Sequence, residues 1–211
     1  MDMIKRTDRN GKNITYTYDG LHRMLTEKAE GAENSWTYGL TEGVLSETNS
    51  NAVKTYTYNN KGLVGSETTK IGSDAFKINR IYDSRGNDRE DSYYKNGTLY
   101  QKYKYVYDNK NRIDSVYNVN VSSNAESQKV KYYYDYNDNV TSAHYGNNTY
   151  NTYSYNAANL ITGMDLIRKS DSSKLEHLVY NYRLDGNMSS KSEICNDFNN
   201  DTLMNMITQA D

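Results

Sequence analysis

A tyrosine that closes an aromatic-x-Tyr step returns eight times in the 211 residues, at Tyr18, Tyr38, Tyr58, Tyr82, Tyr107, Tyr134, Tyr155 and Tyr182. A spacing of 20–27 residues between these anchors marks each unit as one supersecondary element stacked on the next. That period constrains the fold before any local propensity does. Two residues before the anchors stand Tyr16, Trp36, Tyr56, Arg80, Tyr105, Tyr132, Tyr153 and Tyr180, aromatic in seven of eight cases. Positions i and i+2 share one face of a strand, so each unit sets a pair of rings on one side of a sheet.

The residues after each anchor read as a turn. The first is Asp19, Gly39, Asn59, Asp83, Asp108, Asp135, Asn156 or Arg183, and a short Asp or Asn side chain can bond the backbone two residues on. The fourth is His22, Glu42, Gly62, Gly86, Asn111, Asp138, Asn159 or Gly186, mostly types that accept positive φ. The sixth is Met24, Val44, Val64, Asp88, Ile113, Val140, Ile161 or Met188, apolar except for Asp88, where the chain re-enters a strand. A second turn lies between units, as at Glu30 to Asn34, Asn49 to Asn51, Gly72 to Asp74, Ser122 to Asn124, Gly146 to Asn148 and Ser170 to Ser173. Asn96-Gly97 is the clearest of them, the dipeptide favoured in two-residue type I′ hairpins. Two turns per unit make each unit a hairpin, and eight units make about sixteen antiparallel strands. At ~4.8 Å per strand such a sheet is roughly 75 Å wide and is expected to curve around its tyrosine face.

Composition agrees. A mean hydropathy of -0.99 would suit a disordered chain, but 23 tyrosines can bury ring area while their hydroxyls stay bonded at the rim. The absence of proline leaves every backbone N–H free to enter a ladder. The 25 basic and 27 acidic residues are dispersed, with no basic block to track a phosphate backbone, so nucleic acid is not an expected partner. No stretch is apolar enough for a helical membrane span, and Met1 to Lys5 lacks the apolar core of a signal peptide, so an export signal would lie outside this sequence. The single cysteine, Cys195, excludes an internal disulfide framework.

The unit Tyr16-Thr17-Tyr18-Asp19-Gly20-Leu21-His22-Arg23-Met24 resembles the YD repeat of bacterial Rhs and wall-associated proteins and of teneurins. Thr7-Asp8-Arg9-Asn10-Gly11-Lys12 before it resembles the turn joining one such repeat to the next. The resemblance extends from residue 1 to about 195. It implies a spiral of hairpins that closes, in full-length members, into a hollow shell, which in Rhs-type toxins encloses a C-terminal toxic domain. The family's self-cleaving core segment contains proline, and this chain has none. The resemblance also implies, less directly, glycan binding and cell-surface adhesion.

Other motifs carry little chemistry. His22, His144 and His177 are far apart in sequence, His22 at a turn position and the others in inter-unit strands as expected surface residues. Cys195 has no adjacent histidine or basic cluster to lower its pKa and reads as an inert thiol. Asp197-Phe198-Asn199-Asn200-Asp201 begins like a calcium loop, but Thr202 replaces the turn glycine and Thr208 the closing carboxylate. Asp88-Arg89-Glu90-Asp91 reads as a solvated, locally paired edge, since contiguous strand residues alternate faces.

The expected fold is therefore all-β: tandem antiparallel hairpins in a long curved meander, a partial shell or open barrel-like spiral. The array occupies 1–195, and 196–211 form a tail or a final strand, with Leu203 to Ile207 open to strand or short helix. The expected function is that of a non-enzymatic structural segment of a bacterial surface or secreted protein, the wall of a toxin-encapsulating or adhesive shell. No catalytic, metal or cofactor site is expected. The named tyrosines and Trp36 are read as a structural ladder, and the alternative is a carbohydrate-binding module using exposed Tyr and Asn. Candidate partners are the remaining repeats or toxin domain of a larger parent chain, a glycan, and another copy paired through end strands.

Overall fold

The computed structural model describes residues 2–41 and 43–196, and the backbone of 203–209. Every element among the described residues is a strand, and consecutive strands pair antiparallel between Lys5 and Lys104 and between Val130 and Gln209. The chain divides into two compact units, Met1–Lys104 with Val119–Asn124, and Tyr105–Asn118 with Ala125–Asp211. The first contains β1 (Lys5–Thr7), β2 (Asn13–Tyr18), β3 (Met24–Ala29), β4 (Ala32–Tyr38), β5 (Val44–Thr48), β6 (Ala52–Tyr58), β7 (Val64–Ile71), β8 (Asp74–Tyr82), β9 (Asp88–Lys95) and most of β10 (Thr98–Tyr107). The second contains most of β11 (Ile113–Val119), then β12 (Glu126–Tyr134), β13 (Val140–Tyr145), β14 (Thr149–Tyr155), β15 (Ile161–Arg168), β16 (Lys174–Tyr182), β17 (Met188–Asn196) and β18 (Leu203–Gln209). Each anchor closes an even-numbered strand from β2 to β16. The sixteen strands of the eight units are thus flanked by β1 before the first and β18 after the last. The open segment Leu203 to Ile207 is a strand, paired with β17 from Asn196↔Leu203 to Ser190↔Gln209.

The turn after the anchor has one design throughout. The anchor+1 N–H donates to the anchor+5 carbonyl, and the anchor+4 N–H returns to the anchor+1 carbonyl, as in Asp19/Arg23 and His22/Asp19 at 2.9 and 3.1 Å. The anchor+4 residue has positive φ at His22, Gly62, Gly86, Asn111, Asp138, Asn159 and Gly186. Glu42 and the calcium-like Asp197 to Thr202 lie outside the described residues. Across the turn the anchor faces its own anchor+6 residue, as in Tyr18↔Met24, Tyr58↔Val64 and Tyr155↔Ile161, and the register shifts by one just before each of these anchors. That bulge keeps both residues on one face although five residues separate them.

Some inter-unit turns are tighter than the sequence suggests. The segment expected as a turn from Glu30 to Asn34 turns only at Glu30-Gly31, since Ala29 pairs with Ala32 and β4 begins there. Gly72-Ser73 closes in the same way between Ile71 and Asp74. Asn96-Gly97 connects Lys95 to Thr98 with φ of +49° and +81°, the type I′ combination.

The tyrosine face is half-buried rather than sealed: Tyr16 is 9% exposed, while Trp36, Tyr38, Tyr56, Tyr58, Tyr132, Tyr134, Tyr153 and Tyr155 are intermediate. On the opposite face, hydroxyl pairs bridge the two strands of a hairpin, Thr17–Thr26 at 2.7 Å, Thr37–Ser46 at 2.6 Å and Thr57–Ser66 at 2.8 Å.

Candidate functional site

The anchor hydroxyls are the first feature of this face. Tyr38 donates to the Met24 carbonyl, Tyr58 to Val44, Tyr82 to Val64, Tyr134 to Ile113, Tyr155 to Val140 and Tyr182 to Ile161, at 2.6–2.9 Å. Each acceptor is the anchor+6 residue of the preceding repeat. Tyr18 finds an equivalent acceptor at Met3, 3.1 Å away. Every such bond ties one repeat to the one before it, and ring burial raises the pKa of Tyr82, Tyr134 and Tyr155.

The anchor+1 side chain organises the turn. The Asp19 carboxylate accepts the N–H groups of Leu21 and Arg23 at 2.9 and 3.0 Å, and Asp83, Asp108 and Asp135 repeat the pattern. Where anchor+1 is Asp, anchor+5 is a donor that bonds the second oxygen: Arg23 at 2.7 Å, Asn87 at 2.9 Å, Arg112 at 2.8 Å and Asn139 at 3.0 Å. Where anchor+1 is Asn59 or Asn156, anchor+5 is Leu63 or Leu160, because a neutral amide needs no such donor. The backbone N–H of Arg23, then its guanidinium, hold the Asp19 carboxyl below its ordinary pKa; for Asp83 the Asn87 amide leads. Both arginines also reach the next repeat, with Arg23 lying 4.5 Å from the Tyr38 ring centre and Arg112 4.1 Å from that of Tyr134. In the last repeat the carboxylate has moved two places, from the position of Arg183 to Asp185, which accepts the Asn187 N–H at 2.9 Å.

A row of acids on the tyrosine face escaped the sequence reading. Tyr16 stands opposite Glu27, Trp36 opposite Glu47, Tyr56 opposite Glu67 and Arg80 opposite Asp91. All four acids lie nine residues after an anchor, and that recurrence was the available signal.

Asp88 and Asp91 require a correction. Asp88 pairs with Tyr82 and Asp91 with Arg80, and Arg80 and Tyr82 share a face, so the two carboxylates share it too. The bulge at Arg89 reverses the alternation on which the solvated-edge reading depended. Asp91 is 7% exposed, and burial followed by the Asp91 charge raises the Asp88 pKa, with Arg80 opposing both.

The histidines divide. His22 sits at its turn position with φ of +63° and pairs with Asp2 at 2.6 Å. His144 and His177 are partly buried rather than plain surface residues. His144 stacks on Tyr150 with ring centres 4.9 Å apart and meets the edge of Tyr133 at 5.0 Å; burial, then Lys169, lowers its pKa. His177 Nδ1 lies 2.5 Å from Asp165, which also pairs with Lys174 at 2.9 Å. The Cys195 thiol donates to Glu193 at 3.2 Å, and that bond followed by burial raises its pKa, the direction of an unreactive thiol. Glu176, Glu193 and Cys195 stand close enough to hold a metal ion together.

Residues 3–33 match the family model described as RHS Repeat. That stretch carries an RHS repeat. No curated protein matches it. Among solved structures, the chain resembles the crystal structure of TcdB2-TccC3-Cdc42, with a TM-score of 0.77, 15% identity, and coverage of 92% of this chain and 11% of that one. It resembles the Photorhabdus luminescens Tc holotoxin pore with a TM-score of 0.76, 15% identity and the same coverage. The chain therefore shares their fold over about a tenth of their length.

Proposed function

We propose that this chain is a wall segment of a larger RHS-repeat shell in an exported or surface-borne bacterial protein, structural in role, with further repeats and an enclosed C-terminal toxin domain of the same polypeptide as its partners. The observation that carries this reading is the hydroxyl bond from six of the eight anchor tyrosines to the preceding repeat, which makes a repeat complete only beside its neighbour. The rival reading, a carbohydrate-binding sheet, needs tyrosine rings exposed for sugars to stack on, whereas the anchor rings are half-buried and their hydroxyls are committed to backbone carbonyls. Cryo-electron microscopy of the full polypeptide encoded with this segment tests the proposal. Repeats continuous with further repeats around a second, enclosed density are expected; repeats lying open around nothing would overturn it.

The terminal strands of a meander offer ladder groups to a further strand. The isolated segment is accordingly expected to self-associate, and a strictly monomeric mass by light scattering across micromolar concentrations would contradict that.

A further inference from the structure

On the tyrosine face of the first unit, the repeat anchored at Tyr58 builds a complete aromatic–cation–carboxylate group. Tyr56 lies opposite Glu67, and the Lys54 ammonium stands 5.5 Å from the Tyr56 ring centre and 2.9 Å from the Glu67 carboxylate. The repeat before it, anchored at Tyr38, has the same frame in Trp36 opposite Glu47. The position equivalent to Lys54, four residues before the anchor, is Asn34, whose amide donates to Glu27 at 3.1 Å. Lys54 is paired in register with Glu47, but its ammonium is bonded to Glu67. Among the described residues, the Glu47 carboxylate makes no hydrogen bond or ion pair, and no cation lies over the Trp36 ring. Trp36, Glu47, Asn34, Lys54 and Glu67 line an open cleft of about 380 Å³.

We propose that this cleft binds a cation supplied from outside the chain, the arginine side chain of a basic peptide. A carboxylate beside an indole face complements a planar guanidinium, which can stack on the ring while its N–H fork bonds the oxygens. The cleft has room for a planar side chain, and tryptophan offers the broadest face for stacking. The site is complete within the first unit, so it holds whether or not the chain is part of a shell.

Trp36 is the only tryptophan, so its emission reports this cleft alone. The whole chain would be titrated with acetyl-Gly-Arg-Gly-amide and with the same peptide carrying citrulline, which keeps the shape and removes the charge. A saturable emission change with the arginine peptide is expected, at least tenfold weaker with citrulline. Glu47→Gln should abolish it. Asn34→Lys should abolish it too, by supplying the cation from within, while Glu30→Gln, an equal charge loss elsewhere, should leave it intact. An equal response to citrulline, an unchanged response in Glu47→Gln or Asn34→Lys, or a response only to a neutral oligosaccharide would overturn the proposal. Should a variant fail to give the parent circular dichroism spectrum, the arginine–citrulline comparison on the unmodified chain decides.

Discussion

The Tyr58 hydroxyl shows how much a repeat asks of one atom. Tyr58→Phe keeps the ring and removes the bond to the Val44 carbonyl, so a loss of about 1 kcal/mol in urea unfolding is expected, and an unchanged midpoint would refute it. A Cβ added at Gly43 would stand 3.0 Å from the same hydroxyl. Gly43→Ala should therefore destabilise the parent more than it destabilises Tyr58→Phe, a non-additivity that a double-mutant cycle measures. The period of the tyrosines was legible in the sequence because it is a side-chain property. Their acceptors were not, because a backbone carbonyl leaves no mark on residue type. Asp88 was misread for a related reason: alternation assumes an unbroken pleat, and a bulge is invisible to a count of residues.

At the level of the element, the turn after the anchor is where sequence and structure agree best. Asp or Asn at its start and His, Gly, Asn or Asp at its positive-φ position each have a local cause. The coupling between anchor+1 and anchor+5 is visible only when repeats are compared, and it makes a prediction. Arg23→Leu should destabilise the chain by leaving the Asp19 carboxylate without its guanidinium, and adding Asp19→Asn should recover most of the loss, since Asn59 with Leu63 is already a working pair. A double variant no more stable than the single one in thermal melts would sink this account. The same carboxylates set the acid limit. Asp19, Asp83, Asp108 and Asp135 have pKa values lowered from 3.8 by turn N–H groups and the anchor+5 donors, and Asp171 falls to about 2 through the Ser173 N–H and hydroxyl and the Arg168 guanidinium. A lowered folded pKa means that this stability is complete above about pH 4 and is lost as pH falls through the folded values. Circular dichroism should hold steady from pH 7 to about 4.5 and decline between about 4 and 2; a decline centred near pH 6 would assign the transition to histidine instead.

For the molecule as a whole, half-burial matters more than any single contact. Ser115 and Ala143, at 1% exposure, are small, and apart from Tyr16 the paired rings remain intermediate, so unfolding newly exposes little apolar surface per residue. Calorimetry should give a heat-capacity change below the ~12–15 cal/mol/K per residue of ordinary domains, and a value at or above that range would show a sealed core. Strand order and repeat count were readable from period alone. The division into two units was not, since the anchors recur evenly across it. The hydroxyl bond between repeats, finally, gives the array a direction. Its donor always belongs to the later repeat and its acceptor to the earlier one, and a buried donor without a partner is harder to tolerate than a carbonyl that has lost one of two. Trimming repeats from the C-terminal side leaves only carbonyls short, whereas trimming from the N-terminal side strands a phenol. Such an array shortens, and during synthesis lengthens, more easily at its C-terminal end.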